Sequence, residues 1–569
     1  MLQVTLFVEF LRSRPQLAVW AMALLQAALW TLVPALFFSA PPGQLPESIA
    51  VGHEYRLASH LGPPLAHWLA DAAYGLGRFW VYLLSQACVV TTYWAVFQLG
   101  TAIVGPRHAA IAVVLMGGIF LFTIPTPEFG PAILAMALWA VALLHFWRAA
   151  EENRPLYWPV LGLELGLLLL TTYAAFVFIA LLLAYLMLSE RGRAKFADVG
   201  PWIAGIIIVF VVFPLLLWLD HPRGAALTPA AISLEPDLLR GLRVLGWLLA
   251  AHLGCAILIA LGFETSAARR EARPSVDRAP VDPAARVFVY FFALAPAATM
   301  TLFAMVVGGP APIPIAPLAV LSGLSVMVAA PDRLPLAHQR LAGYAWATFV
   351  ILPPLLAIFA IAGLPWIFPM EMAVGRPAAE MGRFFGESFE RRTGRPLEIV
   401  TGDAETAALV ALAAPSRPRL YFDGAPERTP WINRADIDAK GAVVVWPSTD
   451  ASGAPPPSIR ARFPDLVPDV PRTFSRLVQG RLPPVRIGWG VIRPLSAAIE
   501  IPSAPPPPPQ IVPSQPPVEV RPAPEPPPPP APPQARKEEP LKVEPRASPR
   551  PPPPRRPPPP PQRDRLLQW

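Results

Sequence analysis

The sequence predicts an all-α polytopic membrane protein with about 11 transmembrane helices, then a small α/β extracytoplasmic domain and a disordered proline-rich tail. Three observations lead there. Of 569 residues, 54% are hydrophobic and 15% charged, whereas soluble domains carry about 25% charge. Long apolar runs follow one another through the first two thirds of the chain. Beyond them the composition becomes that of a soluble domain, and near the end proline dominates. The implied organisation is a membrane domain over 1–370, a soluble domain over 371–500 and a tail over 501–569.

The apolar runs fall near 15–38, 79–104, 108–124, 131–147, 156–171, 173–188, 201–219, 244–263, 287–307, 313–330 and 342–364. Arg12 and Arg14 precede the first run as in a signal peptide. Because that run can span and many more follow, it reads as an uncleaved first helix. Between the paired runs 156–171 and 173–188 the only polar break is Thr171, Thr172 and Tyr173. Basic residues set the orientation. With the N-terminus inside, the cytoplasmic loops hold Arg107, Arg148, Arg154, Arg191, Arg193, Lys195, Arg269, Arg270, Arg273, Arg278, Arg286, Arg333 and Arg340. The outer loops between spans hold Arg56, Arg78, Arg223, Arg240 and Arg243. A bias of roughly three to one follows the positive-inside rule, and an odd number of spans puts everything after Pro365 outside.

Two outer loops between spans are long, 39–78 and 220–243. In the first, PPLAHWLADAAYGLG has helical spacing and predicts a short helix along the interface, anchored by Trp68 and Tyr74. A third outer segment, Pro125 to Pro131, is tight, and its prolines are expected to aim Glu128. In the soluble region, AAEMGRFFGESFERRTG and AETAALVALAA read as helices, and PLEIVTG, RLYFD and GAVVVWP as strands. The tail has too few apolar side chains to build a core and reads as extended polyproline, a solvated spacer or a ligand for an envelope partner.

Several function classes lack support. The net charge is +8, but roughly half of that excess lies in the tail, so it gives no argument for nucleic acid. Cys88 and Cys255 sit in apolar runs and form no disulfide framework. There is no Gly-rich phosphate loop, HExxH or GxSxG. What remains is polar groups at the outer membrane face. Glu47, Glu54 and Glu128 lie there, and a carboxylate partly buried beside lipid can act as a general base near neutral pH. The plain alternative is solvated surface acids. Arg56 and Arg78 lie on the same side and suit a lipid-linked phosphate, or simply lipid headgroups. His53, His60 and His67 lack the spacing of a zinc site with a fourth ligand. Glu164, the acid well inside a span, reads as a hydrogen bond between helices, and His145 and His252 as packing or interface residues.

Taken in order, four stretches resemble one known family. VGHEYRLASHLGPPLAHWL looks like its first outer loop and FWVYLLSQACVVTTYWAVFQLG like its second span. FTIPTPEFGPAILAMALWAVALLHFWR looks like the segment with its second outer acid, and GLELGLLLLTTYAAFVFIALLLAYL like its paired spans. The chain thus resembles the GT-C superfamily of polytopic glycosyltransferases. The nearer likeness is to bacterial glycosyltransferase family 39, related to protein mannosyltransferases and lipid A aminoarabinose transferases. The likeness covers about residues 1 to 200.

The resemblance implies transfer of a sugar from a polyprenyl-phosphate donor to a lipid, glycan or protein acceptor at the outer face of a bacterial inner membrane. It implies Glu47, Glu54 and Glu128 as candidate catalytic acids. Gln44, His53, Tyr55, Arg56, Pro63, Pro64, His67, Arg78, Phe129, Thr172 and Tyr173 are the candidate substrate-binding residues. No cofactor is indicated, and a divalent metal is left open. The sequence departs from the family's pattern at three places: Gln44 stands where a leading Asp is expected, Gly62 where His is frequent before the proline pair, and Thr172 where Lys precedes Tyr. Two other readings stand beside the transferase: a degenerate relative acting as a membrane scaffold through its tail, and a lipid flippase or transporter.

Overall fold

In the computed structural model, the described residues are 13–220, 233–234, 236–263, 275–308, 314–335, 338–449 and 452–495. The proline-rich tail and its expected partner lie outside them. Twelve helices make up most of the membrane portion and its outer loop. They are α1 (Pro15–Phe37), α2 (Leu45–Gly52), α3 (Leu65–Gly75), α4 (Arg78–Val104), α5 (Pro106–Met116), α6 (Pro131–Ala150), α7 (Tyr157–Leu169), α8 (Ala174–Leu188), α9 (Val199–Asp220), α10 (Leu238–Ala251), α11 (Leu253–Gly262) and α12 (Pro283–Val306). After them come α13 (Ser322–Ala329) and α14 (Gln339–Ala362). Proline at the first helical turn starts α1, α5, α6 and α12, where its missing N–H costs nothing.

Among the described residues, seven helices are long and apolar enough to cross a membrane: α1, α4, α6, α9, α10 with α11, α12 and α14. The other four expected spans are shorter apolar helices, α5, α7, α8 and Ala316–Ala329. Their shortness has local causes. After α5, Gly117 and Gly118 end the helix, and Gly118 lies so close to Gly254 that a side chain on either would meet the other's backbone. Between α7 and α8 the chain breaks at Leu170–Tyr173, where the Thr172 hydroxyl accepts the Ala174 N–H at 3.3 Å. The helices α1, α4 and α6 are more than half buried and form the bundle's centre, whereas α9 and α14 expose most of their apolar faces, as lipid-facing helices do.

Leu65 N–H donates to Leu170 O at 2.9 Å, Ala40 N–H to Val374 O at 3.0 Å and Asp237 N–H to Met305 O at 2.8 Å. Ser275–Asp277 pairs with Arg333–Pro335. Within the membrane portion, Glu164 Oε1 lies 2.6 Å from His145 Nδ1, a hydrogen bond between α7 and α6. His252 bonds to Ser322 Oγ at 2.8 Å.

The C-terminal portion is a five-stranded sheet with helices. Its strands are β1 (Ile399–Gly402), β2 (Arg419–Tyr421), β3 (Ala442–Pro447), β4 (Arg472–Phe474) and β5 (Val485–Ile492), in the order β2-β1-β3-β5-β4. The first three are parallel, linked by helical crossovers, and β5 runs antiparallel to both β3 and β4. α15 (Ala378–Thr393) and α16 (Ala404–Ala413) are the two helices expected. The strands β4 and β5 escaped the sequence reading. Glycines 488 and 490 interrupt the β-branched pattern of β5, and Gly488 is required because Trp446 packs against it, with an added Cβ only 2.2 Å from the indole nitrogen. The loop helix α2 joins this portion: Ala50 and Val51 are buried in one cluster with Phe385, Phe389 and Val400.

Candidate active site at the loop between the first two long spans

The loop 39–78 is built from α2 and α3 packed on one another. Gly52 lets them touch, since a Cβ there would lie 2.0 Å from the His67 carbonyl oxygen. His67 is 2% exposed, and its Nδ1 lies 2.8 Å from Ser48 Oγ on α2. Gly62 has φ +116° in the turn Ser59–Gly62. A histidine at that position would be strained, which gives the departure a backbone reason. Pro63 and Pro64 are buried and lead into α3, whose first N–H docks on the break before Thr172 and Tyr173. The fold thus brings together two stretches more than a hundred residues apart. Tyr173 keeps a buried hydroxyl without a hydrogen-bond partner.

Glu128 stands at the N-terminal end of α2. Its Oε1 accepts the Gln44 N–H at 2.8 Å, and its carboxylate lies against Gly43, where φ is +53° and a Cβ would sit 2.3 Å from Cδ. Burial raises its pKa, the Gln44 N–H pulling the other way. Prolines alone do not aim it. The turn before it is anchored to the bundle by Ser85, which donates to Thr126 O, and by Gln86 Nε2, 2.9 Å from Thr126 Oγ1. Gln26 holds Phe122 O, and the Tyr93 hydroxyl donates to Gln26 at 3.0 Å. Such inner bonds are what polar groups in a membrane bundle require. Gly43→Ala is therefore expected to push the Glu128 carboxylate off Gln44. A crystal or cryo-EM structure of the variant should show that side chain turned away.

Glu47 lies in the first turn of α2, facing the C-terminal portion. Burial raises its carboxyl, Arg428 opposes, and Asp423, Glu405 and Asp403 add to the rise. His60 packs edge-on against Phe422, with ring centroids 4.3 Å apart. Burial pushes His60 and His67 down to about 4, so both are uncharged at neutral pH. Neither can supply charge to a phosphate.

The remaining candidates divide. Glu54 makes a two-pronged ion pair with Arg419, at 2.8 Å from Nε and 2.8 Å from Nη2. His53 and the Tyr55 hydroxyl both reach Asp71, at 3.4 and 3.2 Å. Arg78 donates to Phe38 O at 3.0 Å, tying the end of α1 to the start of α4. Phe129 is fully buried among Phe38, Leu45 and Ile49. Arg56 is exposed and lies at an amphipathic groove of about 600 Å³, with Leu57, Pro214, Leu217, Trp218, Pro430 and Trp431. Among the described residues, no three His, Cys, Asp or Glu side chains are grouped to hold a metal. Sequence reasoning missed Asp71, Arg417, Arg419 and Arg428. The last three lie in a soluble segment hundreds of residues from the loop, and only the fold joins them to it.

Residues 62–218 match the family model described as dolichyl-phosphate-mannose-protein mannosyltransferase, a stretch shorter than half of the chain. The fold is similar to that of ArnT from Cupriavidus metallidurans bound to undecaprenyl phosphate, with TM-score 0.51, 10% identity, and 84% of this chain and 97% of that one covered. The apo form of ArnT gives 0.52 and 11% over the same shares. No curated protein matches the sequence. The chain is thus a polytopic membrane protein with a fold of the GT-C type.

Proposed function

We propose that the protein transfers a sugar from a polyprenyl-phosphate donor to an acceptor hydroxyl or amine at the extracytoplasmic face. One observation carries this. Two carboxylates, Glu47 and Glu128, stand at the N-terminal end of one short helix, and burial holds both above the usual carboxylate range. A helix N-terminus alone favours a charged carboxylate, so burial wins here, and it leaves bases tuned toward neutral pH. Neither makes an ion pair among the described residues, whereas Glu54 is committed to Arg419.

In this reading the base takes the acceptor's proton as its oxygen or nitrogen attacks the anomeric carbon. The bond from that carbon to the phosphate oxygen breaks, and polyprenyl phosphate leaves with the electron pair. Arg56 offsets the charge of the leaving phosphate, while the groove beside it offers apolar walls to the first isoprene units. Arg78, held by Phe38 O, serves the scaffold. ArnT, which shares the fold, binds undecaprenyl phosphate, in keeping with a lipid-linked donor here.

The test is an assay of membranes containing the protein with a polyprenyl-phosphate sugar, comparing the native chain with Glu47→Gln and Glu128→Gln. Unchanged transfer in both variants removes the proposed roles. The Glu128 pKa also makes a stability prediction. A carboxyl whose folded pKa is raised stabilises the fold below its unfolded value of 4.5 and loses that contribution as pH rises through the folded value. Glu128→Gln keeps the acceptor for Gln44 and cannot ionise. Its melting temperature should match the native protein's below pH 4.5 and exceed it increasingly as pH rises toward 7, levelling off above the folded pKa.

A further inference from the structure

The C-terminal portion is joined to the outer loop by two ion pairs that share one short segment, Arg417-Pro418-Arg419. Arg419 opens β2, an edge strand, and forks onto both oxygens of Glu54, whose side chain is 8% exposed. Arg417 Nη2 lies 2.5 Å from Asp71 Oδ1, and the Asp71 side chain is 7% exposed. The same guanidinium stands over the Tyr74 ring at 5.1 Å, and Tyr55 donates to the other oxygen of Asp71. One arginine thus meets α3 and the other meets the chain just after α2.

The backbone marks the same place. Arg417 has φ +49° and Tyr55 also has φ +49°. A left-handed conformation is strained for a residue other than glycine, and one before proline is further disfavoured. Two of the four such residues among those described converge on one buried carboxylate. Strain persists where surrounding contacts over-determine the conformation, and here those contacts are the Asp71 hub.

We infer that Arg417 and Arg419 are positioning residues: through Asp71 and Glu54 they hold the loop 44–74 in the shape that presents Glu47 and Glu128, so the C-terminal portion is part of the site. This rests on the proposed transferase reading for its functional meaning, but the latch itself can be read without any substrate.

The experiment uses the full chain in membranes or nanodiscs with a reporter at Ala58→Cys, a loop position that is 1% exposed. Cys88 and Cys255 are buried and serve as the background control. A water-soluble maleimide should label the reporter about 10-fold faster or more in Arg419→Ala and in Arg417→Ala, because each leaves a buried carboxylate unpaired. Arg419→Lys, which keeps the charge but loses the fork, should fall between. The reversed pair Glu54→Arg with Arg419→Glu should restore slow labelling. If Arg419→Ala does not accumulate, Arg419→Lys carries the comparison. Labelling that stays slow in the single variants overturns the latch, and so does a reversed pair that labels as fast as Arg419→Ala. Because no donor or acceptor is present, these outcomes are independent of whether the protein transfers a sugar.

Discussion

Glu47→Gln should lower the transfer rate by about 10²–10⁴-fold, the range a general base contributes. Glutamine keeps the size and hydrogen-bonding reach of the side chain but cannot take a proton. The change should fall on kcat, because the acceptor still meets the same surface. Folding should be unharmed: Glu47 makes no ion pair among the described residues, and a buried carboxylate of raised pKa is replaced by a neutral group. Native-like melting with lost turnover is therefore the expected pattern. Glu128→Gln should lose turnover as well, since its carboxylate shares the N-terminal end of α2. A contrast comes from the arginines. Arg56→Ala should raise KM for the donor by roughly tenfold, the loss of a charge-assisted contact to phosphate worth about 1.5 kcal/mol, while Arg78→Ala should leave KM unchanged because its guanidinium is spent on Phe38 O.

Gly52→Ala is expected to be the most damaging small change in the loop. The added Cβ would stand 2.0 Å from the His67 carbonyl oxygen and 3.0 Å from Asp71 Cβ, and the first of these is backbone that cannot swing aside. The helices α2 and α3 must then part, at a cost of about 3 kcal/mol, the upper range of overpacking. Parting them breaks the 2.8 Å contact between Ser48 and His67 and shifts Glu47 away from Arg428. Thermal unfolding followed by tryptophan fluorescence should show the loss, and the Ala58→Cys reporter should label faster in the same variant. Gly62→Ala should be milder in packing, since nothing lies within 4 Å of its Cβ, its cost coming from φ +116° alone.

Much of the membrane portion was legible because lipid imposes a coarse rule: apolar runs of span length are read directly. Ranges such as 15–38, 79–104 and 131–147 reappear as α1, α4 and α6. Run length overstates helix length where glycine or threonine ends a helix inside an apolar stretch, as at Gly117 and Thr172. The candidate acids and arginines were also legible, as polar residues flanking apolar runs. Their chemistry was only partly so. Glu54 and Glu128 look alike in sequence, yet one faces Arg419 and the other a backbone N–H, and that difference is made by residues far away in the chain. Asp71 sits in an ordinary helical turn, Ala-Asp-Ala, and its role appears only once α3 meets Arg417. Gln44, where the resemblance led one to expect a carboxylate, holds Glu128 through its backbone N–H. The spacing of prolines around Glu128 pointed to a rigid turn, but the anchors that fix it, Ser85, Gln86 and Gln26, lie inside spans where a helical pattern gives polar residues no distinct signal.

The proposed roles of Glu47 and Glu128 in transfer from a lipid-linked sugar are tested most directly with the purified full chain in nanodiscs and a panel of radiolabelled polyprenyl-phosphate sugars, following release of label from the lipid to a supplied acceptor. Release is expected with at least one donor, lost in Glu47→Gln and retained in Arg78→Ala. Label released equally by the native protein and by Glu47→Gln and Glu128→Gln would contradict these roles.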